Sequence, residues 1–294
     1  MRPVPSWSVP LFFVAGAVSQ YLGAAVGVFL FETTEPATVA WLRAAGAAAV
    51  LLAWRRPWRR SWTRREAWAA AGFGLVTLAM NVAFYEAIAR IPLGTAVAIE
   101  FVGPVAVATL GSRRARDFLA VLLVAVGVLL LAGVQAEAEP LGVLFALIAA
   151  ALWAGYIVVG KTVADAGAGI DSLAVGMAAA SLALAPALVG TQLGTDAAVF
   201  AESRTWLYGL GVGVLSSVIP YALDQPVLAT IGRARFALLL ALLPATAAVV
   251  GAVVLAQRPE PVELAGIALV MLALVINATS IRPRRAPPGW TMQQ

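Results

Sequence analysis

Four ionisable side chains interrupt otherwise apolar stretches of this 294-residue sequence: Arg43, Glu86, Glu100 and Asp224. A charge at mid-membrane costs about 2.5–3.5 kcal/mol on insertion scales, so each needs a partner, water or a proton. Depth follows from a helical rise of ~1.5 Å per residue. Arg43 stands seven residues in from Pro36, about 10 Å, and Glu100 six residues in from Gly94, about 9 Å. Glu86 stands four residues in from Arg90, about 6 Å. Similar depth in three successive apolar runs predicts a shared outer-side polar cavity. In it Arg43 neutralises one carboxylate and Glu100 gains and loses a proton, with Glu86 as the second proton-coupling candidate. The competing reading is a static buried pair that only orients helices. Asp224, near the cytoplasmic end of its run, reads as a solvated interfacial acid.

The elements that must position these groups are set by composition. Hydrophobic residues make up 62% of the chain and charged residues 12%, about half the share in a soluble domain. Mean hydropathy is +0.90. This excludes a soluble enzyme and a disordered chain, and predicts an integral membrane protein. Cysteine and histidine are absent, which removes disulfides, thiolate or imidazole metal sites and histidine proton relays. No metal or cofactor is expected.

A spanning helix needs about 20 apolar residues. Ten such runs are predicted, at 11–31, 36–54, 67–90, 94–111, 117–134, 140–160, 172–192, 204–229, 234–256 and 262–280. The fold class expected is therefore all-α with ten transmembrane helices. Strand-like alternation is missing, so a β-barrel is not expected. Residues 1–10 are short, and the first apolar run reads as a span and not as a cleaved leader.

Ten spans put both termini on one side. One set of ends and loops holds 16 of the 20 basic residues, from Arg2 through the Arg55–Arg65 cluster to Arg285. The opposite set holds Arg90, Arg204 and Arg258 with eight acids, Glu32, Glu35, Glu137, Glu139, Asp196, Glu202, Glu260 and Glu263. The positive-inside rule then places both tails, 1–10 and 281–294, in the cytoplasm. Trp54, Trp58, Trp62 and Trp68 flank the largest basic loop as interfacial anchors. The basic residues sit between apolar runs, a membrane pattern, and no nucleic-acid partner is expected.

Five spans per half is an odd number, so two copies, 11–134 and 140–280, would insert in opposite senses. A shift of 140 residues superposes Ala89 on Ala229, Ile91 on Ile231, Pro104 on Pro244, Ala108 on Ala248 and Gly111 on Gly251. The matched intramembrane prolines carry the most weight. Inverted repeats with a site between the halves are usual in secondary transporters. Gly103-Pro104 and Pro244 are expected to bend spans 4 and 9. Gly16, Gly23, Gly27, Gly142 and Gly155 are expected to be close helix contacts.

The stretch Asn81 to Pro104, with its core Pro-Leu-Gly-Thr-Ala-Val-Ala-Ile-Glu-Phe-Val-Gly-Pro from Pro92, and its continuation to Ser112-Arg113-Arg114, resembles spans 3 and 4 of the drug/metabolite transporter superfamily in its EamA-like branch. Within that branch the Pro92–Pro104 run is most similar to the inner-membrane threonine and homoserine exporters. Leu215 to Leu223 resembles the same family's span 8. The resemblance runs from about residue 11 to 280. It implies a ten-helix, two-repeat inner-membrane carrier that exports small polar metabolites using the proton gradient.

An amino-acid substrate is a zwitterion. Its carboxylate needs a cation or helix N-terminus, and its ammonium an acid or carbonyls. Arg43 and Glu100 can take these roles, with proton and substrate exchanging at one acid. Gln20 and Tyr21, Asn81 and Tyr85, Trp153 and Tyr156, and Ser216, Ser217 and Tyr221 are candidates to line the same cavity, against the alternative that the aromatics only pack. Motifs for a metalloprotease, an α/β-hydrolase or a phosphate-cradling loop are absent, so no enzyme is expected. Charge rings or a carbonyl filter are not evident, which argues against a channel. A lipid or lipid-linked sugar flippase, and a drug efflux carrier, are the alternatives within the superfamily. A homodimer is left open.

Overall fold

The computed structural model describes residues 5–110, 114–136, 139–165 and 169–280. Arg2, Gly111, Ser112, Arg113, Glu137, Arg282, Arg284, Arg285 and the 281–294 tail lie outside the described residues. Among the described residues all regular structure is helical. The α-helices are α1 (Val9–Leu30), α2 (Pro36–Arg55), α3 (Arg64–Ile88), α4 (Leu93–Glu100), α5 (Val102–Thr109), α6 (Ala115–Ala136), α7 (Pro140–Asp165), α8 (Gly169–Thr195), α9 (Ser203–Gly213), α10 (Ile219–Leu240), α11 (Leu243–Val254) and α12 (Pro261–Ser280). A π-helical turn, Val214–Val218, joins α9 to α10.

Among the described residues eight stretches are long and apolar enough to cross a membrane: α1, α2, α3, α8, Ala115–Gln135 of α6, Pro140–Lys161 of α7, Ser203–Asp224 and Pro261–Ala278 of α12. Two shorter apolar stretches, Leu93–Thr109 and Leu238–Val254, fall where spans 4 and 9 are expected. Each is broken. The first breaks at Phe101, three residues before Pro104, and the second at Ala241-Leu242, just before Pro244. A proline has no N–H for the carbonyl four residues back and clashes with it, so the helix gives way there. One expected boundary differs. Helical backbone runs unbroken from Ile219 to Leu240, across the turn expected at 230–233. Ala229, Arg233, Ala234 and Arg235 are strong helix formers, and Gly232 alone does not end the helix.

Helix ends are chemically marked. Pro36, Pro140 and Pro261 each open a helix, where the missing N–H costs nothing. Thr63 and Glu66 form a reciprocal capping box at the start of α3. Arg60 also pairs with Glu66, and Trp62 donates its indole N–H to the Pro57 carbonyl at 3.0 Å, so the basic loop is ordered. Trp54, Trp58 and Trp68 are exposed beside it.

Packing interleaves the two halves of the chain. α2 lies against α8 and α9, α3 against α7 and α8, α4 against α11, and α1 against α10 and α11. In lipid there is no hydrophobic drive between helices, so close van der Waals fit and hydrogen bonds must do this. The tightest approach is α3 on α8: a methyl on Gly74 would run into the Gly176 backbone. Hydrogen bonds cross from α2 to α8. Trp41 donates to the Ser181 carbonyl at 2.8 Å and Thr38 to the Leu188 carbonyl at 2.7 Å. Large apolar side chains such as Phe118, Leu129, Leu182, Leu207 and Val253 face outward, as they do against acyl chains.

One end of the bundle carries Glu35, Glu139, Glu202 and Glu260 and is cross-linked by buried polar ties. The Gln192 side-chain oxygen accepts from the Glu35 N–H at 2.8 Å, and its amide donates to the Thr33 and Asp196 carbonyls. The Glu263 carboxylate accepts from Thr95 at 2.8 Å, Gln135 at 2.9 Å and its own cap N–H at 2.8 Å. Gln257 accepts from the Leu93 N–H at 3.0 Å. At the opposite, basic end Arg55 pairs with Asp171 at 2.9 Å.

Candidate functional site

A cavity of about 250 Å³ lies inside the bundle, between helices of both halves. Its lining includes the polar or charged Gln20, Tyr21, Arg43, Asn81, Glu100, Ser216 and Ser217, and also Trp153, Tyr156, Met177 and Tyr221.

Arg43 is fixed by a local consequence of sequence. In an α-helix the Ser216 carbonyl would accept from residue 220, but that residue is Pro220. The chain widens into the π-helical turn at this point, as happens often at functional sites. The Ser216 carbonyl accepts from Arg43 Nη2 at 3.0 Å, and Ser217 Oγ from Arg43 Nε at 3.2 Å. Ser19 and Ser216 hydroxyls stitch the turn to α1, donating to the carbonyls of Leu215 at 2.8 Å and Gln20 at 2.9 Å. A guanidinium has five N–H donors, so three remain for a ligand. Among the described residues Arg43 forms no ion pair.

Two more cavity residues share this backbone logic. Pro104 withholds an N–H from the Glu100 carbonyl and Pro244 withholds one from the Leu240 carbonyl. Three prolines thus leave three carbonyls at Glu100, Ser216 and Leu240 without their α-helical donor, all beside one cavity. Freed backbone groups are tolerated in a membrane only beside a cavity or protein.

Glu100 is the last residue of α4, 8% exposed, and no described side chain hydrogen-bonds its carboxylate. Asn81 is 2% exposed, and its Nδ2 has no partner. A buried amide left unpaired costs about 1–3 kcal/mol. Trp153 meets Phe101 edge-on at 4.8 Å, and Tyr156 stacks on Phe73 at 4.8 Å, so both rings are held by packing while lining the cavity.

The remaining candidates fall elsewhere. Glu86 lies outside the cavity and pairs with Arg90 one turn on, at 2.5 Å, with Arg90 also over the Phe145 ring at 5.1 Å. Tyr85 does not line the cavity. Fully buried, it stands behind Arg43, whose guanidinium is 5.8 Å from its ring, and is boxed edge-on by Phe31 and Phe84. Gly27 makes room for that ring: a methyl there would come within 2.5 Å of Tyr85 Cε1. Gly23 and Gly142 are equally close contacts, whereas Gly16 and Gly155 have room for a methyl. Asp224, expected as an interfacial acid, lines the cavity near Tyr221, whose hydroxyl approaches Gly169 at the basic end. Thr77, Met80, Phe84, Leu173 and Leu243 complete the lining. Apolar periodicity gives such residues no signal that separates them from packing.

Residues 140–279 match the EamA-like transporter family. Over 96% of its length the chain is 32% identical to the threonine/homoserine exporter RhtA of Salmonella typhimurium (strain SL1344), covering 95% of that protein. It is 30% identical to RhtA of Escherichia coli (strain K12) over the same shares. The chain belongs to the EamA-like transporter family. It is a multi-pass membrane transporter and not an enzyme. One solved crystal structure superposes with a TM-score of 0.59 at 17% identity, covering 92% of this chain and 95% of that one, a likeness of fold.

Proposed function

We propose that this EamA-like transporter exports small zwitterionic amino acids of the threonine or homoserine type across the bacterial inner membrane, by proton antiport. The observation that carries the reading is one cavity holding a guanidinium with uncommitted N–H groups and an uncommitted carboxylate, Arg43 and Glu100. Arg43 takes the substrate carboxylate, and a carboxylate of the same cavity with the freed carbonyls takes the ammonium. Asn81 and the serines answer side-chain polarity, and Trp153, Tyr156 and Tyr221 close over the apolar part. The volume of about 250 Å³ lies below the usual range for drug-sized ligands.

In this reading the two short stretches complete ten spans, and the halves are inverted repeats with both termini cytoplasmic. The breaks at Phe101 and Ala241, 140 residues apart and each three residues before a proline, support it. So does the contact of α4 with α11, which the repeat makes equivalent spans. The acidic end, with its polar ties, is then periplasmic.

A lipid flippase is favoured by a second feature, an apolar cleft of about 700 Å³ between α5, α6 and α7 on the outer surface. Thr109 is its one polar side chain, too little for a headgroup, so the amino-acid reading is preferred. The deciding experiment is uptake of labelled threonine and homoserine into inverted vesicles with an imposed pH gradient. Interior-acid vesicles should accumulate substrate and a protonophore should stop it. Uptake indifferent to the protonophore overturns the antiport, and no uptake of either amino acid overturns the substrate.

A further inference from the structure

We propose that Asp224 is the group at which a proton and the substrate's ammonium compete, while Glu100 stays with Arg43. The proposal rests on the amino-acid reading above. It starts from a charge count. The cavity holds one cation, Arg43, and two acids, Glu100 and Asp224. A zwitterion adds no net charge, so one carboxylate is always in excess.

Geometry says which. Ser216, whose carbonyl holds Arg43, stands on α1 at Gln20, whereas Asp224 stands on α1 at Gly16, about a turn nearer the basic end, where the Tyr221 hydroxyl also approaches Gly169. Among the described residues no hydrogen bond or ion pair engages the Asp224 carboxylate.

Among the described residues its nearest surroundings offer no permanent counter-charge. α1 packs against α10 and presents Gly16 to Asp224, with Oδ1 3.8 Å from where a methyl on Gly16 would sit; α1 contains no charged residue. α12 carries only Glu263, which is tied to Thr95 and Gln135 at the acidic end, and the π-helical turn carries no charge. α7 offers Tyr156, with Lys161 exposed beyond it, and α8 offers Asp171, already paired with Arg55. α10 itself offers Tyr221, and the side chains of Arg233 and Arg235 lie outside the described residues.

A lone carboxylate held in a membrane takes a proton. When substrate enters from the basic end, its ammonium replaces that proton. The O–H bond of Asp224 breaks, the proton leaves to water, and an N⁺–H···O⁻ contact takes its place: one proton out for one ammonium in. Asn81, whose buried amide has no partner, lines the same cavity.

The test uses the purified full-length protein. Without substrate, infrared spectra taken over a pH series should show a protonated-carboxyl band that vanishes as pH rises. The band should be missing in Asp224→Asn, restored in Asp224→Glu, and kept in Glu100→Gln. With homoserine or threonine in weak buffer, wild type should release about one proton per substrate bound, and its affinity should fall about tenfold per pH unit below the titration point. Asp224→Asn should bind without release and with a flat pH profile; Glu100→Gln should lose affinity. A band that persists in Asp224→Asn, or proton release that persists there, overturns the proposal. If the band behaves as expected but wild type binds neither amino acid, the substrate reading and the ammonium half fail while the proton site stands.

Discussion

Arg43, which lines the cavity, spends two of its N–H groups on Ser216 and Ser217. A lysine can hold the charge but not both the anchor and a forked contact to a carboxylate. Arg43→Lys should therefore weaken substrate binding about 10- to 100-fold, roughly one or two steps of 1.4 kcal/mol, with the fold intact; equal affinity in an equilibrium binding assay would remove Arg43 from the site. Glu86 gives the contrast. Its pair with Arg90 is an i,i+4 contact of a partly exposed kind, worth about 0–1 kcal/mol. Glu86→Gln should leave transport and its pH dependence unchanged and shift the melting temperature little, and a changed pH profile would return Glu86 to the mechanism. From sequence, Arg43, Glu86 and Glu100 are alike: buried charges at similar depth. What divides them is tertiary, since an acid with an arginine one turn away can satisfy itself and Glu100 has no such neighbour. Asp224 was legible as an acid, but not as a lining group, because depth along its own helix does not reveal that glycine of α1 stands opposite.

At the scale of elements, the prolines were readable and their consequence only partly so. Pro104 and Pro244 announce bends, and the helices break within three residues of each. Pro220 announces a carbonyl without a donor, but the π-helical turn that answers it needs an arginine from another helix, which spacing alone cannot supply. Pro220→Ala returns an N–H to the Ser216 carbonyl and competes with Arg43 for it. Affinity should drop while helix content by circular dichroism is unchanged; unchanged affinity would mean the turn does not set Arg43. The expected turn near residues 230–233 shows the reverse limit. Charge marked a loop there, and local helix propensity kept the backbone helical.

Across the whole molecule, composition alone identified the solvent, and the apolar runs located the helices that cross it. The number of full-length spans was less accessible, because two runs are long enough as sequence yet broken as helices. The proposed orientation is open to direct measurement, since the chain has no cysteine to remove. With single cysteines, a membrane-impermeant thiol reagent added to intact cells should label Glu202→Cys and spare Trp58→Cys; the opposite pattern would invert the topology and turn the exporter into an importer.

Gly74 on α3 and Gly176 on α8 touch backbone to backbone, with no side chain between them. Interlocked side chains act as gear teeth, and a rotation of one helix past another must lift them out of mesh. Here the two halves of the chain meet on a smooth bearing. A methyl added at either glycine would put grit in it, costing about 1–3 kcal/mol of overpacking and slowing turnover more than it weakens substrate affinity.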